Sequence, residues 1–210
     1  MSILPLSLSQ LFDPRLTSLG RLEARANLRA HSNETDMDAD DLPWRTSLDG
    51  MWQFQLIDHP SNAPADWTSS DVGTAPWRNI RVPGVWTRQN TGDLPHYANW
   101  QMPFDCQKPP AVPDDNPAGL FRQRFRLPEA WQGRLPILHV GGFESLLMVW
   151  CNGVFIGMAK DSRLPSEFDL SDAVRAGENE LALMVVRWCD ATWIEDQDHW
   201  NHGGIHRSVW

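Results

Sequence analysis

The feature that most constrains this chain is its succession of short apolar stretches, each closed by proline or glycine. Residues 52–57, Trp-Gln-Phe-Gln-Leu-Ile, alternate apolar with polar side chains, which is the period of a half-buried strand. Asn152-Gly153 predicts a tight hairpin, because a type I′ turn needs positive φ at both central residues. Further strands are predicted at residues 80–82, 121–127, 135–140, 145–151, 154–159 and 180–188. Short strands with proline-rich turns and no long helical period predict an all-β fold, a β-sandwich of the jelly-roll type.

Two of these strands are apolar on both faces. They are residues 146–150, Leu-Leu-Met-Val-Trp, and residues 181–186, Leu-Ala-Leu-Met-Val-Val. An antiparallel strand with one face in water should alternate apolar with polar residues. Either these strands are central in a thick core, or a domain outside this chain covers the outer face of their sheet. The residues alone leave both alternatives open.

The organisation along the chain predicts an arm followed by one domain. Residues 1–41 form the arm, in which residues 18–30 are compatible with a short helix that Gly20 and Asn27 weaken. Residues 33–41 are acidic and nearly devoid of large apolar groups, so part of the arm is predicted to be disordered. Residues 42–210 form the jelly-roll domain, and the last strand is expected to be cut short at residues 208–210.

Charge and hydropathy exclude several classes of partner. The chain of 210 residues has a formal net charge of -9 and a pI near 5.1, which argues against nucleic acid or an anionic membrane surface as partner. No apolar run approaches the roughly 18 residues that a membrane span needs. The first residues lack a charged region and are broken by Pro5, which argues against a secretory signal.

Cysteine and tryptophan usage adds two expectations. Cys106, Cys151 and Cys189 have no metal-type spacing, and buried free thiols in a reducing compartment, the cytoplasm, fit them best. Twelve tryptophans against one tyrosine is an unusual balance. Indole faces can stack on sugars, but filling of a core is the expected role of any single tryptophan, since each buried aromatic removes about 150–250 Å² from water.

Three blocks of sequence resemble the N-terminal domain of the β-galactosidases of glycoside hydrolase family 2. The blocks follow the family's order, and the resemblance covers roughly residues 48–210. The central one is the most specific, since it contains Asp-Ser-Arg-Leu-Pro-Ser-Glu-Phe-Asp-Leu-Ser at residues 161–171. The three blocks are residues 95–100 with 116–119, residues 150–153 with 161–171 and 175–179, and residues 195–200 with 204–207.

The resemblance implies a sugar-binding, galactose-binding-domain-like jelly roll that works as part of a larger enzyme. In such an enzyme, a retaining glycosidase, this domain contributes to the binding of a β-galactoside, and the resemblance assigns substrate contacts to Asn99 and Asp161. It also implies a sodium ion held by Asp161. The catalytic glutamates belong to a (β/α)₈ barrel that does not fit in this chain, and magnesium is expected only there. The parent enzyme is expected to be a homo-oligomer with further domains, and this chain alone is expected to be inactive.

Two rival functions stay open, a free-standing carbohydrate-binding module and a domain that only helps to assemble a larger enzyme. The resemblance also favours the second alternative for the strands that are apolar on both faces, in which an absent domain covers them. The chain alone is then expected to expose a large apolar patch.

Other polar clusters carry weaker hypotheses. Glu167 and Asp169 share one face of an extended segment, roughly 6.6 Å apart, and a second acidic cluster comprises Glu195, Asp196 and Asp198. A retaining glycosidase needs two carboxyl groups about 5–5.5 Å apart. For both acidic clusters, however, the favoured role is structural: capping of turns and hydrogen bonds that hold neighbouring loops. Histidines at positions 199, 202 and 206 have a spacing that suits a metal on a helix, yet Gly203-Gly204 breaks such a helix, and loop and strand positions are favoured.

Overall fold

The long central strands lie side by side in one antiparallel sheet. In the computed structural model, which describes residues 4–26, 34, 44–69, 76–98, 102, 104, 108–195 and 197–210, seven strands of the described residues form this main sheet in the order β1-β9-β8-β11-β6-β2-β3. Smaller antiparallel pairs join β7 to β10, β5 to β12 and β4 to β13. The elements are α1 Leu8–Leu11, β1 Ser18–Leu19, β2 Gly50–Ile57, β3 Arg78–Val82, β4 Gly84–Val85, β5 His96–Ala98, β6 Ala118–Leu127, β7 Ile137–Val140, β8 Leu146–Cys151, β9 Val154–Lys160, β10 Ser166–Asp169, β11 Gly177–Val186, β12 His199–Asn201 and β13 Gly204–Ile205. Short 3-10 turns occupy Pro60–Asn62, Trp86–Arg88, Glu129–Trp131 and Asp190–Trp193.

The strand predictions are confirmed, because the period of the side chains matches the burial. In β2, Trp52 and Phe54 are fully buried while Gln53 between them is exposed. The hairpin between β8 and β9 is also confirmed. Asn152 has φ 50° and Gly153 has φ 79°, as a type I′ turn requires. The all-β jelly-roll sandwich predicted from the sequence is the observed fold.

One face of the main sheet packs on a second layer of strands. This layer consists of the pair β7–β10, extended by a bridge from Val140 to Val209, and of the pair β4–β13. Between the layers lies the inner core, which is built almost entirely of apolar side chains. Its fully buried members include Trp52, Phe54, Val82, Trp86, Phe121, Val140, Phe143, Leu147, Val149, Phe168, Leu181, Leu183, Val185, Ile205 and Val209.

The other face of the main sheet is covered by the chain itself. Leu4 and Leu11 of the N-terminal segment, together with Ala63 and Trp67 of the loop after β2, pack on the outward side chains of the central strands. Trp67 meets Trp150 edge-on, with ring centroids 4.9 Å apart. This outer core also contains Leu120, Leu146, Met148, Met158, Ala182, Met184, Val186, Cys189 and Ala191.

The outer core corrects the expectation that an absent domain covers this face. The strands that are apolar on both faces lie between two cores, so the alternative of a thick core is the correct one. The physical reason is that the N-terminal segment carries the apolar side chains that the outer face needs, with Leu6, Leu8, Phe12 and Leu16 packed around it. An exposed patch on this face is therefore no longer expected.

The expectation of a helix over residues 18–30 is wrong for the described part of that range. Ser18 and Leu19 form β1, which pairs with β9, and Arg21 bridges to Phe168 of β10. Two glycines permit this close pairing, because a Cβ on Gly157 would lie 2.2 Å from the carbonyl oxygen of Leu19 and a Cβ on Gly20 would lie 2.3 Å from that of Ile156. Residues 27–30 and the acidic residues 33 and 35–41 lie outside the described residues.

Candidate functional site

Asp161 lies directly after β9, where its carboxylate closes a tight turn. Its Oδ1 accepts hydrogen bonds from the backbone N–H groups of Arg163, at 3.1 Å, and Leu164, at 3.0 Å. Its backbone has φ 107°, and aspartate side chains that bond their own backbone favour such turn positions. The other oxygen, Oδ2, lies 3.7 Å from Nη2 of Arg21, and the side chain is 31% exposed. These contacts explain an aspartate here without any ligand.

Among the described residues, the carboxylate of Asp161 lies beside a guanidinium, with Oδ2 3.7 Å from Nη2 of Arg21. A hard cation gathers several oxygen ligands. No group of three or more histidine, cysteine, aspartate or glutamate side chains in the part of the chain that the structure describes could hold a metal ion. The sodium assignment therefore stays a prediction from the resemblance.

The remaining acidic residues of the central motif are bound to neighbours in the same chain. Glu167 receives a hydrogen bond from Nε of Arg25 at 2.9 Å, and its Oε1 lies 3.0 Å from Nδ1 of His139. Asp169 accepts from the backbone N–H and the hydroxyl of Ser171, at 2.8 and 2.6 Å. The two carboxylates thus serve different partners, as the favoured interpretation of the sequence expects, and do not form a pair.

The segment around residues 195–207 holds the loop after β9 in place. The carboxylate of Glu195 accepts from the N–H of Ser162 at 2.9 Å and from its hydroxyl at 2.5 Å. Arg163 contacts Nε2 of His199, and Nη1 of Arg207 donates to the carbonyl of Arg163 at 2.6 Å. Sequence blocks that are far apart along the chain therefore meet in one polar cluster.

Glu144 is buried at the base of this cluster. Burial raises the pKa of its carboxyl above the usual range, although the positive charges of Arg163 and His199 oppose that shift. Glu144 is thus a buried carboxylate close to the charges of the cluster.

The pair β5–β12, which we call the ribbon, projects an exposed carboxylate and two exposed aromatic rings. The hydroxyl of Tyr97 donates to Oδ1 of Asp198 at 2.6 Å, and this hydrogen bond is the main reason that the pKa of Tyr97 is raised. The rings of Tyr97 and Trp200 lie 5.4 Å apart, and these residues are 53% and 54% exposed. A carboxylate beside aromatic faces can accept from sugar hydroxyls and pack on a sugar ring.

A buried ion pair anchors the chain that enters the ribbon. Asp93 binds Nη1 of Arg187, and its other oxygen accepts from the indole N–H of Trp86 at 2.6 Å. Arg187 also donates to the carbonyl of Leu94 at 2.7 Å. Burial lowers the pKa of Arg187, while Asp93 opposes that shift. The chain that enters the ribbon is therefore bonded to buried side chains of the core.

The structure brings Asp198 to the end of the ribbon at which β5 finishes, since His199 pairs with Ala98. Asn99, the second residue that the resemblance assigns to the substrate, follows Ala98 directly in the sequence and lies outside the described residues. Sequence reasoning placed Asp198 only within an acidic cluster. The signal that could have identified it is the pairing of two short polar-aromatic stretches, His-Tyr-Ala and His-Trp-Asn.

The three histidines of residues 199–206 have separate partners. Nδ1 of His199 lies 2.7 Å from the carbonyl of Trp200, Nδ1 of His202 lies 2.8 Å from the hydroxyl of Thr87, and Nε2 of His206 lies 3.1 Å from the carbonyl of Ser162. They occupy strand and loop positions, as the sequence predicts.

Five of the eleven tryptophans among the described residues are buried, which agrees with the filling of a core as their expected role. Trp52, Trp67 and Trp86 are fully buried, and Trp150 and Trp188 nearly so, while Trp200 on the ribbon is the clear contrast. None of the helices among the described residues is long and apolar enough to cross a membrane.

Comparison with known proteins identifies the class to which this sandwich and its polar edge belong. The family described as "Glycosyl hydrolases family 2, sugar binding domain" matches residues 45–210. The chain therefore belongs to this family, as the resemblance of its three sequence blocks predicts.

The curated relatives are much longer than this chain. A β-galactosidase of Erwinia tasmaniensis is 43% identical over 216 residues, which cover 98% of this chain and 20% of the relative. A β-galactosidase of Psychromonas ingrahamii is 41% identical over 189 residues, covering 90% of this chain and 18% of the relative. The chain thus spans about a fifth of the length of these relatives, so other domains of a parent enzyme are implied.

Solved structures agree with the fold. A β-glucuronidase from an uncultured Clostridium matches 78% of this chain and 28% of its own with a TM-score of 0.57 and 19% identity. A β-glucuronidase of Bacteroides uniformis matches 79% of this chain and 17% of its own with a TM-score of 0.57 and 18% identity. At this level of identity the likeness concerns the fold alone.

Proposed function

We propose that this chain positions a β-galactoside in the active site of a β-galactosidase, with the ribbon as the contact and Asp198 as its central residue. The observation that carries the proposal is the exposed carboxylate of Asp198, held by the hydroxyl of Tyr97, whose ring lies beside that of Trp200. The β-galactosidases among the relatives supply the substrate class. The parent enzyme then hydrolyses terminal β-galactose residues and retains the configuration of the sugar.

The chemistry of bond cleavage belongs elsewhere in the parent enzyme. Retaining hydrolysis requires a nucleophile and an acid/base about 5–5.5 Å apart. Three acidic residues considered for such a pair bind other groups of this chain: Glu167 binds Arg25, Asp169 binds Ser171, and Glu195 binds Ser162. We therefore assign the catalytic carboxylates, and the magnesium expected near them, to a barrel domain outside this chain, and we expect this chain alone to be inactive.

The contribution of the ribbon is to orient the substrate. A carboxylate that accepts from sugar hydroxyls fixes the ring, and binding energy from such remote hydroxyls is used to place the reacting carbon. Because the Tyr97 hydroxyl holds one oxygen of Asp198, the carboxylate is pre-oriented before a sugar arrives. A sodium ion at the sugar would need further oxygen ligands, and in a homo-oligomeric parent these come from other domains or subunits.

Asp161→Asn and Asp198→Asn form a matched pair of variants in the parent enzyme, because each keeps the shape of the side chain and removes its charge. We expect Asp198→Asn to lower kcat/KM for a β-galactoside roughly 10- to 150-fold, since charge-assisted hydrogen bonds are worth about 1.5–3 kcal/mol. Asp161→Asn should keep the fold, because asparagine can cap the same turn, and its kcat/KM and sodium response measure the contacts that the resemblance assigns to Asp161.

The opposite result has a definite meaning. Loss of activity and sodium response in Asp161→Asn, with Asp198→Asn near wild type, would assign the substrate and sodium contacts to Asp161, as the resemblance implies. If both variants keep full kcat/KM, the proposed role of this domain in positioning the substrate is wrong.

A free-standing carbohydrate-binding module is the second candidate. One observation favours it, since both faces of the main sheet are covered within the chain itself. Saturable binding of galactose to this chain, lost in Asp198→Asn, would support a module that works alone. The one-fifth coverage of the curated relatives favours the enzyme domain.

A further inference from the structure

A cavity lined by described residues opens at the end of the inner core, near Trp210. It has a volume of about 720 Å³ and is walled mainly by apolar side chains, with three indoles and four arginines among them. Pockets that bind small molecules typically measure about 300–1,000 Å³. The cavity shares no residue with the ribbon. Its polar and aromatic lining comprises Arg25, Arg45, Arg126, Arg134, Trp44, Trp131 and Trp210.

The charge of the cavity is opposite to that of the chain. The chain carries a formal net charge of -9, yet no aspartate or glutamate is found among the described residues that line the cavity. Arg25 is paired with Glu167 just outside the lining. The local excess of positive charge therefore comes from the other three arginines.

Two of these arginines stack on indole rings. The guanidinium of Arg134 lies 3.3 Å from the ring centroid of Trp44, and that of Arg45 lies 4.5 Å from the ring centroid of Trp210. The indole of Trp210 also stacks on His139, with centroids 4.2 Å apart and planes 13° apart. A guanidinium that stacks on a ring keeps its N–H donors in its own plane, where they can bind a carboxylate or phosphate in a bidentate manner.

We propose that this cavity binds a sugar ring that carries an anionic group, a carboxylate or a phosphate. The arginine donors receive the anion, and the apolar wall with its indoles covers the faces of the ring. Neutral galactosides fit this site less well, because they offer the arginine donors no charged partner. The site thus gives the domain a second, charge-selective ligand in addition to the proposed galactoside contact on the ribbon.

Calorimetric titration of the purified 210-residue chain tests the proposal. Galacturonate and galactose 6-phosphate represent the two anionic groups, and galactose and inorganic phosphate represent the ring and the anion alone. We expect at least one anionic sugar to saturate the chain with a Kd of about 1 mM or lower. Galactose and inorganic phosphate should each bind at least roughly tenfold more weakly.

A matched set of variants locates the binding. Arg45→Gln and Arg134→Gln should each weaken the anionic sugar roughly tenfold. Arg124→Gln removes the same charge from β6 at an exposed position outside the lining and should leave the Kd unchanged. Arg45→Lys keeps the charge but loses the planar guanidinium, so this variant should bind the anionic sugar with intermediate affinity. It replaces Arg45→Gln if that variant does not fold.

Three outcomes overturn the proposal. They are the absence of saturable binding of both anionic sugars, equal affinity for galactose or for inorganic phosphate, and equal weakening in Arg124→Gln and in the cavity variants. A preference for galacturonate over galactose 6-phosphate, or the reverse, identifies which anion the cavity takes.

Discussion

The two faces of the main sheet are covered in different ways. On the inner face, strands of the same sandwich supply an apolar layer, with Phe168, Ile205 and Val209 against the central strands. On the outer face, the cover is an irregular segment and a loop, represented by Leu4, Leu11 and Trp67. The inner cover is held in place by the pairing of its strands, whereas residues 4–16 are held on the sheet mainly by side-chain packing. The difference shows that strands with two apolar faces do not require a partner domain.

Buried ion pairs also lie on the outer side of the sheet. On the outer side, Nζ of Lys160 lies 2.6 Å from Oδ1 of Asp190 and donates to the carbonyl of Asp13 at 2.9 Å. Arg122 pairs with Glu180 on the same side. Such pairs add little net stability but are costly to break, because a single remaining charge is buried without a partner. The Lys160–Asp190 pair therefore fixes the position of the N-terminal segment through Asp13, and adds little to the net stability of its packing on the sheet.

A series of leucine-to-alanine variants measures the two covers with the same chemistry. Leu183 lies in the inner core and Leu11 in the outer core, and both are fully buried, whereas Leu19 is 44% exposed. Buried leucine-to-alanine changes cost about 2–5 kcal/mol. We expect Leu183→Ala near the upper end and Leu11→Ala near the lower end, because the irregular segment can relax into the space. Leu19→Ala should cost less than about 1 kcal/mol.

Chemical denaturation gives the free energy of unfolding for each variant. If Leu11→Ala costs no more than Leu19→Ala, the N-terminal segment does not cover the outer face. If Leu11→Ala costs as much as Leu183→Ala, the two faces are equally rigid and the contrast between their covers is wrong.

Acid should lower the stability of the folded chain through protonation of His206 in the inner layer, and this effect should be smaller than that of the buried leucine variants. Burial lowers the pKa of His206, Arg207 and Arg163 lower it further, and the hydrogen bond with Ser162 opposes them. Between the lowered pKa and the usual value near 6.5, the unfolded chain binds more protons than the folded chain. The contribution of His206 is thus present above that range and is lost as the pH falls through it.

The thermal midpoint between pH 7 and pH 5 measures this effect. We expect the midpoint of the wild type to fall on acidification and that of His206→Asn to fall less. An identical slope in the two proteins would show that other groups, such as His96 or His202, whose pKa values are also lowered chiefly by burial, dominate the response.

The sequence predicts the sheet well because strand signals are local. The alternation at Trp52 and Phe54 and the Asn152-Gly153 turn depend on neighbours within a few residues. The cover of the outer face was not predicted, because a short irregular segment has no period, although Leu4 and Leu11 carried the apolar signal. Asp198 was not singled out because its contact with Tyr97 joins positions 101 residues apart. Local patterns do not encode such pairings.

Binding of a hydrophobic dye tests most directly whether the chain covers its own outer sheet face. The comparison is between the whole chain and a variant that lacks residues 1–16, measured by dye fluorescence and sedimentation. We expect the whole chain to bind little dye and the shortened one to bind strongly and self-associate, because Leu120, Met148 and Met184 then face water. Equal, strong dye binding by both proteins would contradict the account, since it would mean that the N-terminal segment leaves the outer face exposed.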